Sequence, residues 1–242
     1  KNIVICCMVV FLLVSCQSKT ENKESSLSVS DLTSDQIQMP EEGDSIAVMT
    51  TSMGVVKMKL LDEVEPEAVG QFIKLAEEGY YNGLELFKPP SKERDAFINC
   101  NDFSKMPSVE THPTFKPVEN PDYNHYTGAV GFTSFTTKDQ GVVYFYTSFY
   151  VVTGDKLDQE SLDILPELGF NEESIETYKA IGGLPWMDTD RNHPIFAHVY
   201  SGLEVLEEMR KGEAKSAAEG YGFEEPEYIE SIVIQTYKKG DN

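Results

Sequence analysis

The chain has 242 residues, with 41 Asp or Glu against 20 Lys or Arg, and a formal charge of -21. So acidic a balance argues against nucleic acid or an anionic membrane face as partners of the folded part, because both carry the same sign of charge. With 40% apolar residues, the length suits one domain of roughly 150–200 residues with its own core, and the charge reads as solubility.

Lys1 precedes an apolar run over residues 3–14, which ends in Leu13-Val14-Ser15-Cys16. The run is short of the ~20 residues a bilayer-spanning helix needs, and it suits the apolar region of a signal peptide. The Leu-x-Ser-Cys ending is similar to a bacterial lipobox. That resemblance implies a leader over residues 1–15, acylation of Cys16, and stable anchoring through several acyl chains. Gln17, where an acidic residue would favour inner-membrane retention, points to the outer membrane. Residues 16–43 are rich in Ser, Thr, Glu, Lys, Asn and Asp and read as a flexible tether, with the folded domain over 44–239.

Cys6, Cys7 and Cys16 lie in the leader or at its border, so the domain holds one thiol, Cys100, and no internal disulfide is expected. His112, His125, His193 and His198 stand apart without metal-ligand spacing. They read as ordinary surface or loop histidines, and neither metal nor cofactor is expected.

Ser45–Thr51 and residues 55–61 are apolar-rich runs around Ser52-Met53-Gly54, which predicts a β-hairpin turned by Gly54. Pro66 opens a helix in a favoured early position, Ala68, Phe72, Leu75 and Ala76 recur at helical spacing, and Gly79 ends it. Residues 103–127 are polar and carry Pro107, Pro113, Pro117 and Pro121, which predicts a long loop; residues 133–141 read as a second loop. Leu157, Leu162, Ile164, Leu165 and Leu168 suggest a short helix, and a second begins near Ser174. Gly182, Gly183 and Pro185 make a turn-rich loop that presents Trp186, the only tryptophan, before a strand over 194–199. A helix over 202–211 buries Leu203, Val205, Leu206 and Met209, and a closing strand over 228–237 carries Ile229, Ile232 and Ile234.

The stretch MTTSMGVVKMKLLDEVEPEAVGQFIKLAEEGYYNG, residues 49–83, resembles the opening of the cyclophilins: strand, Met-Gly turn, strand, Pro-initiated helix and Gly-Tyr-Tyr-Asn-Gly. IGGLPWMDTDRNHPIFAHV, residues 181–199, is similar to that family's Gly-Gly loop, its aromatic wall and the following strand, with two extra residues between Asp188 and His193. YVVTGDKLDQESLD and YKAIGG are similar to enlarged cyclophilins of the Bacteroidetes lineage. The resemblance spans roughly residues 45–239. It implies a closed antiparallel β-barrel of about eight strands capped by helices, with a helical insert over about 154–180. That insert is either a packing element or a partner-docking surface.

The same resemblance places the family's Phe-His-Arg on Leu86, Phe87 and Lys88, and its Gln-Gly-Gly-Asp on Asn99, Cys100, Asn101 and Asp102. Its Gly-x-Leu falls on Gly128-Ala129-Val130, and its Ser-Gln-Phe-Phe/Tyr-Ile on Thr147 to Val151. Lys88 is then the catalytic position. Phe87, Phe97, Asn99, Ser148, Phe149 or Tyr150, Trp186 and His193 are the substrate-binding candidates. Prolyl rotation faces a barrier near 18–20 kcal/mol from amide resonance. The family lowers it with a guanidinium that donates to the prolyl nitrogen. Lysine is a compact, well-hydrated point charge without that planar fork, and losing preorganised geometry costs a few kcal/mol. Arg94 is the alternative source of a guanidinium.

Two functions are expected from this. One is a lipid-anchored peptidyl-prolyl isomerase acting on Xaa-Pro segments of exported proteins, in the periplasm or at the cell surface. The other is a catalytically reduced binding module, or an accessory subunit of an outer-membrane protein assembly. Lys88 pointing into an open pocket would favour the first.

Overall fold

The computed structural model describes residues 31–89, 96–100, 122–137, 141–189, 193–215 and 222–240, of which 134–137 and 141–146 are described by backbone alone. Eight strands close into the expected barrel. They are β1 Ser45–Thr51, β2 Gly54–Leu60, β3 Glu85–Phe87, β4 Phe97–Cys100, β5 Ala129–Thr137, β6 Gly141–Val152, β7 Ile195–Ser201 and β8 Glu227–Thr236. Their order around the barrel is β1-β2-β7-β5-β6-β4-β3-β8, and the pairs are antiparallel. Closure removes the free sheet edges that would otherwise invite pairing with other chains.

Alternation fills the interior. Ala47 and Met49 of β1, Val56, Met58 and Leu60 of β2, and Phe196 of β7 all belong to one buried cluster. Helix α1, Pro66–Glu77, follows β2 and presses Ala68, Val69, Phe72, Leu75 and Ala76 onto it. Its proline has no N–H to lose at a position where that group would be unpaired anyway. Phe72 meets Phe196 at 4.9 Å and Tyr81 at 5.4 Å between ring centres. Helix α4, Leu203–Arg210, adds Leu206 and Met209 where β2 begins. It approaches so closely that a Cβ on Gly202, whose φ is +84°, would lie 2.1 Å from the Val55 carbonyl oxygen.

The Tyr81 hydroxyl is buried in this core and has no hydrogen-bond partner among the described residues. Burial also pushes its phenol well above the usual tyrosine range. Tyr81→Phe keeps the ring contacts and removes the orphan group, so it is expected to stabilise by about 1 kcal/mol and to raise the melting temperature by roughly 3 °C. A thermal melt checks this, and a lower melting point would mean that the hydroxyl is satisfied.

Three departures from the sequence reading matter for the site. Residues 31–43 do not behave as tether: Leu32, Ser34 and Gln36 are buried. Around a 3-10 turn at Asp35–Ile37, the Gln36 amide exchanges two 2.8 Å hydrogen bonds with the Asn124 backbone. Residues 133–141, expected as a loop, instead continue β5 to Thr137 and start β6 at Gly141. His125 and His198, read as surface or loop histidines, are both buried.

The insert forms α2, Gln159–Ile164, and α3, Glu172–Ile181. Asp158 and Asn171 cap them, each accepting from the backbone N–H three residues on at 2.8 Å. Leu165 and Tyr178 pack with Tyr126 into a separate buried cluster, against which Ile37 also lies.

Candidate functional site

Register decides which side chains share a face. Leu86, Cys100, Phe149 and Phe132 lie opposite one another in succession across β3, β4, β6 and β5, and all four belong to the barrel core. The neighbouring row, Phe87, Asn99, Tyr150 and Gly131, is offset by one residue and therefore points outward. Phe97, opposite Val152, shares that outer face. There Leu61, Ala129, Tyr150, Val152, Leu184 and Ile195 form a second apolar cluster, with Phe97 and Met187 packed on it. The Phe97 and Tyr150 rings meet edge to face at 5.4 Å.

This separates the two adjacent aromatics that the sequence left as alternatives. Phe149 is not an outer-face residue. It points into the barrel, where it meets Tyr81 edge to face at 5.3 Å. Tyr150 is the outer-face aromatic. Its phenol lies across Gly131, where a Cβ would fall 2.4 Å from the hydroxyl, so only glycine leaves room for the ring in this orientation.

Phe87 and Tyr150 are buried and flank Asn99 in register, which makes them floor rather than rim. Ser148 is also buried, beside the register shift between Phe132 and Thr133. Phe97, Asn99, Met187 and His193 are half-buried. Trp186 is 55% exposed on a 3-10 turn at Pro185–Asp188. His193 lies edge-on to His125, 6.0 Å between ring centres. Tyr123 packs on the same cluster; burial first, then Asp35 at 3.3 Å, push its phenol up to about 12.

Two polar groups define what this face can do. The Asn99 side-chain nitrogen is buried and finds no partner among the described residues. Lys88, expected as the catalytic cation, is committed elsewhere: its ammonium donates to the Arg210 carbonyl oxygen at 2.7 Å. The last carbonyls of α4 lack intrahelical partners and carry the negative end of the helix dipole, so a lysine there is favourable. Arg210 itself pairs with Asp155 at 2.7 Å. Lys88 therefore caps a helix rather than facing the Asn99–Tyr150 row. Arg94, Asn101, Asp102 and Cys16 lie outside the described residues.

Sequence reasoning missed His125, Asp188 and Tyr178, which join beneath Tyr150. His125 and Asp188 are 63 residues apart, and nothing in their local spacing signals a pair. The sequence profile of the family described as cyclophilin type peptidyl-prolyl cis-trans isomerase/CLD matches residues 46–237. The chain belongs to that family. Its function class is that of a cyclophilin-like peptidyl-prolyl isomerase.

A Staphylococcus saprophyticus protein, provisionally named a peptidyl-prolyl cis-trans isomerase, is 25% identical over 166 residues, which cover 67% of this chain and 79% of its own. A Staphylococcus aureus counterpart with the same provisional name is 24% identical over 173 residues, 70% of this chain and 82% of its own. The crystal structure of a Cryptosporidium parvum cyclophilin-type isomerase has a TM-score of 0.56 at 16% identity and covers 81% of this chain and 99% of that one. A second structure of that protein, in the presence of the dipeptide Ala-Pro, gives 0.55 at 17% identity, over 79% and 99%. At these identities the structural likeness is one of fold. Almost the whole of the smaller cyclophilin is matched, and this cyclophilin carries additional segments.

Proposed function

We propose that this cyclophilin binds extended Xaa-Pro segments across the Asn99–Tyr150 row and isomerises them weakly. The observation that carries the reading is Asn99, whose side-chain nitrogen is buried between two aromatic residues and finds no partner among the described residues. Such an orphan costs about 1–3 kcal/mol in the free protein. A peptide carbonyl laid along the face would satisfy it, while Phe97, Met187 and Trp186 supply apolar walls. Weak turnover follows from Lys88, whose bond to the Arg210 carbonyl keeps its ammonium from donating to the prolyl nitrogen.

The lipobox-like ending at Cys16 supports acylation there and a place in the bacterial cell envelope, with Gln17 favouring the outer membrane. Exported proteins would then supply the proline-containing segments. Docking into an outer-membrane assembly is favoured by a separate feature, the exposed Ile164 and Leu168 on and beside α2. Pull-down of the intact lipoprotein, with both residues changed to Ser, tests that role.

Exchange-detected NMR on a short Xaa-Pro peptide tests the groove. The purified protein is expected to shift the peptide resonances with modest acceleration of cis/trans exchange. Asn99→Leu is expected to weaken binding about tenfold while stabilising the free protein by about 1 kcal/mol, opposite signs from one substitution. Lys88→Ala should leave the exchange rate within about twofold, since the lost group caps a helix. Rapid exchange that vanishes in Lys88→Ala would return that lysine to catalysis. Absence of any peptide shift would remove the groove reading.

A further inference from the structure

His125 is held at both ring nitrogens. Nδ1 lies 2.5 Å from Asp188 Oδ1, and Nε2 lies 2.6 Å from the Tyr150 hydroxyl. Asp188 also accepts from the Tyr178 hydroxyl, in a short bond, and from the His125 backbone N–H, at 3.2 Å to Oδ1 and 3.1 Å to Oδ2. All four side chains are buried. With the Nδ1–H donating to Asp188, Nε2 is left as the acceptor for the Tyr150 O–H. The chain therefore runs in one sense, from the groove floor through His125 to Asp188, where the Tyr178 hydroxyl of α3 meets it.

Three constraints fix the plane of the Tyr150 ring. Its hydroxyl is tied to His125, its face lies nearly parallel to that imidazole (5.9 Å between centres, 20° between planes), and its hydroxyl end lies over Gly131. A floor held this way loses no side-chain freedom when a ligand arrives, which is how preorganisation raises affinity. The insert takes part, because Tyr178 belongs to α3.

We propose that His125 and Tyr178 are positioning residues for peptide binding: they set the angle of Tyr150 through Asp188 and tie the helical insert to the groove. This rests on the Xaa-Pro groove reading given above. Neither residue needs to touch the peptide. The insert is then a buttress of the site.

Peptide affinity measured by NMR titration of the purified protein, beside a thermal melt of each variant, tests it. His125→Asn retains an amide donor for Asp188 but is too short to reach Tyr150, so Asp188 keeps its partner while Tyr150 is released. His125→Asn and Tyr150→Phe are each expected to weaken binding about tenfold, the net worth of one hydrogen bond and the order it imposes. The double variant is expected to be no weaker than Tyr150→Phe alone, since both act through the same bond. Tyr178→Phe, remote from the peptide, is expected to cost about threefold. His125→Gln, whose amide reaches the place of Nε2, is expected to recover most of the affinity. Binding within a factor of two for His125→Asn and Tyr178→Phe, with only their melting points lowered, would overturn the proposal and reduce the chain to a fold element. A wild-type protein that binds no Xaa-Pro peptide would overturn the groove reading, and this inference with it.

Discussion

Asp188→Ala is expected to destabilise the protein by about 3–4 kcal/mol and to lower its melting temperature by roughly 10 °C. The carboxyl group is the common acceptor for the His125 ring, the His125 backbone N–H and the Tyr178 hydroxyl. It is 3% exposed, so water cannot replace it. Truncation leaves three buried donors unsatisfied and opens a void between the Pro185–Asp188 turn and the β5 entrance, two costs that fall at one place. Asp188→Asn keeps the volume but faces one donor with its NH2, so about half of the loss is expected. Urea denaturation measures both. A loss under about 1 kcal/mol for the alanine variant would mean that the donors find other partners.

Acid should weaken the fold through His198. The residue lies on β7 opposite Lys59 on one side and Ala129 on the other, and Gln36 from the N-terminal segment approaches its Nδ1 at 3.5 Å. Burial first, and the Lys59 charge second, depress its pKa from 6.5 to about 3. The folded protein therefore refuses a proton that the unfolded chain accepts between those two values. The associated stability is complete above pH 6.5 and is lost as the pH falls toward 3. The loss is about 1.4 kcal/mol per pH unit, or about 2.7 kcal/mol by about pH 4.5. His198→Gln removes this titration and leaves the carboxylates as they are. The difference between wild type and variant in urea-unfolding free energy should thus slope with pH below 6.5 and flatten above it. Parallel curves would show that His198 reaches solvent without unfolding.

Much of the barrel was legible because apolar spacing reports burial directly. The Ser45–Thr51 hairpin strand, the Pro66 helix with its Phe72 face, and the Ile229–Ile232 closing strand all stand where periodicity placed them. The N-terminal segment was not legible, because its buried residues include Ser34 and Gln36. Gln36 is compatible with burial only through its hydrogen bonds to Asn124, 88 residues away. The polar stretch after Phe132 reads as a loop by polarity, although its Thr and Phe content is what an extended strand favours. At the site, two adjacent aromatics could not be told apart without a register, since a shift of one residue exchanges core for outer face. Lys88 shows the same limit at longer range: its direction is set by a helix end 122 residues on.

Barrel closure joins the two extremes of the domain, with Ile46 opposite Gln235 and Glu85 opposite Tyr228. Strand β8 is thus the partner of both β1 and β3 and the last of the eight barrel strands to be made. Until it emerges from the ribosome, two apolar strands have no neighbour on one side. Pairings so distant in sequence are slow to form, and open edges invite aggregation while they wait. Barrel closure must therefore wait until β8 has been made. A chain cut short before Glu227 would be left with two open edges at once.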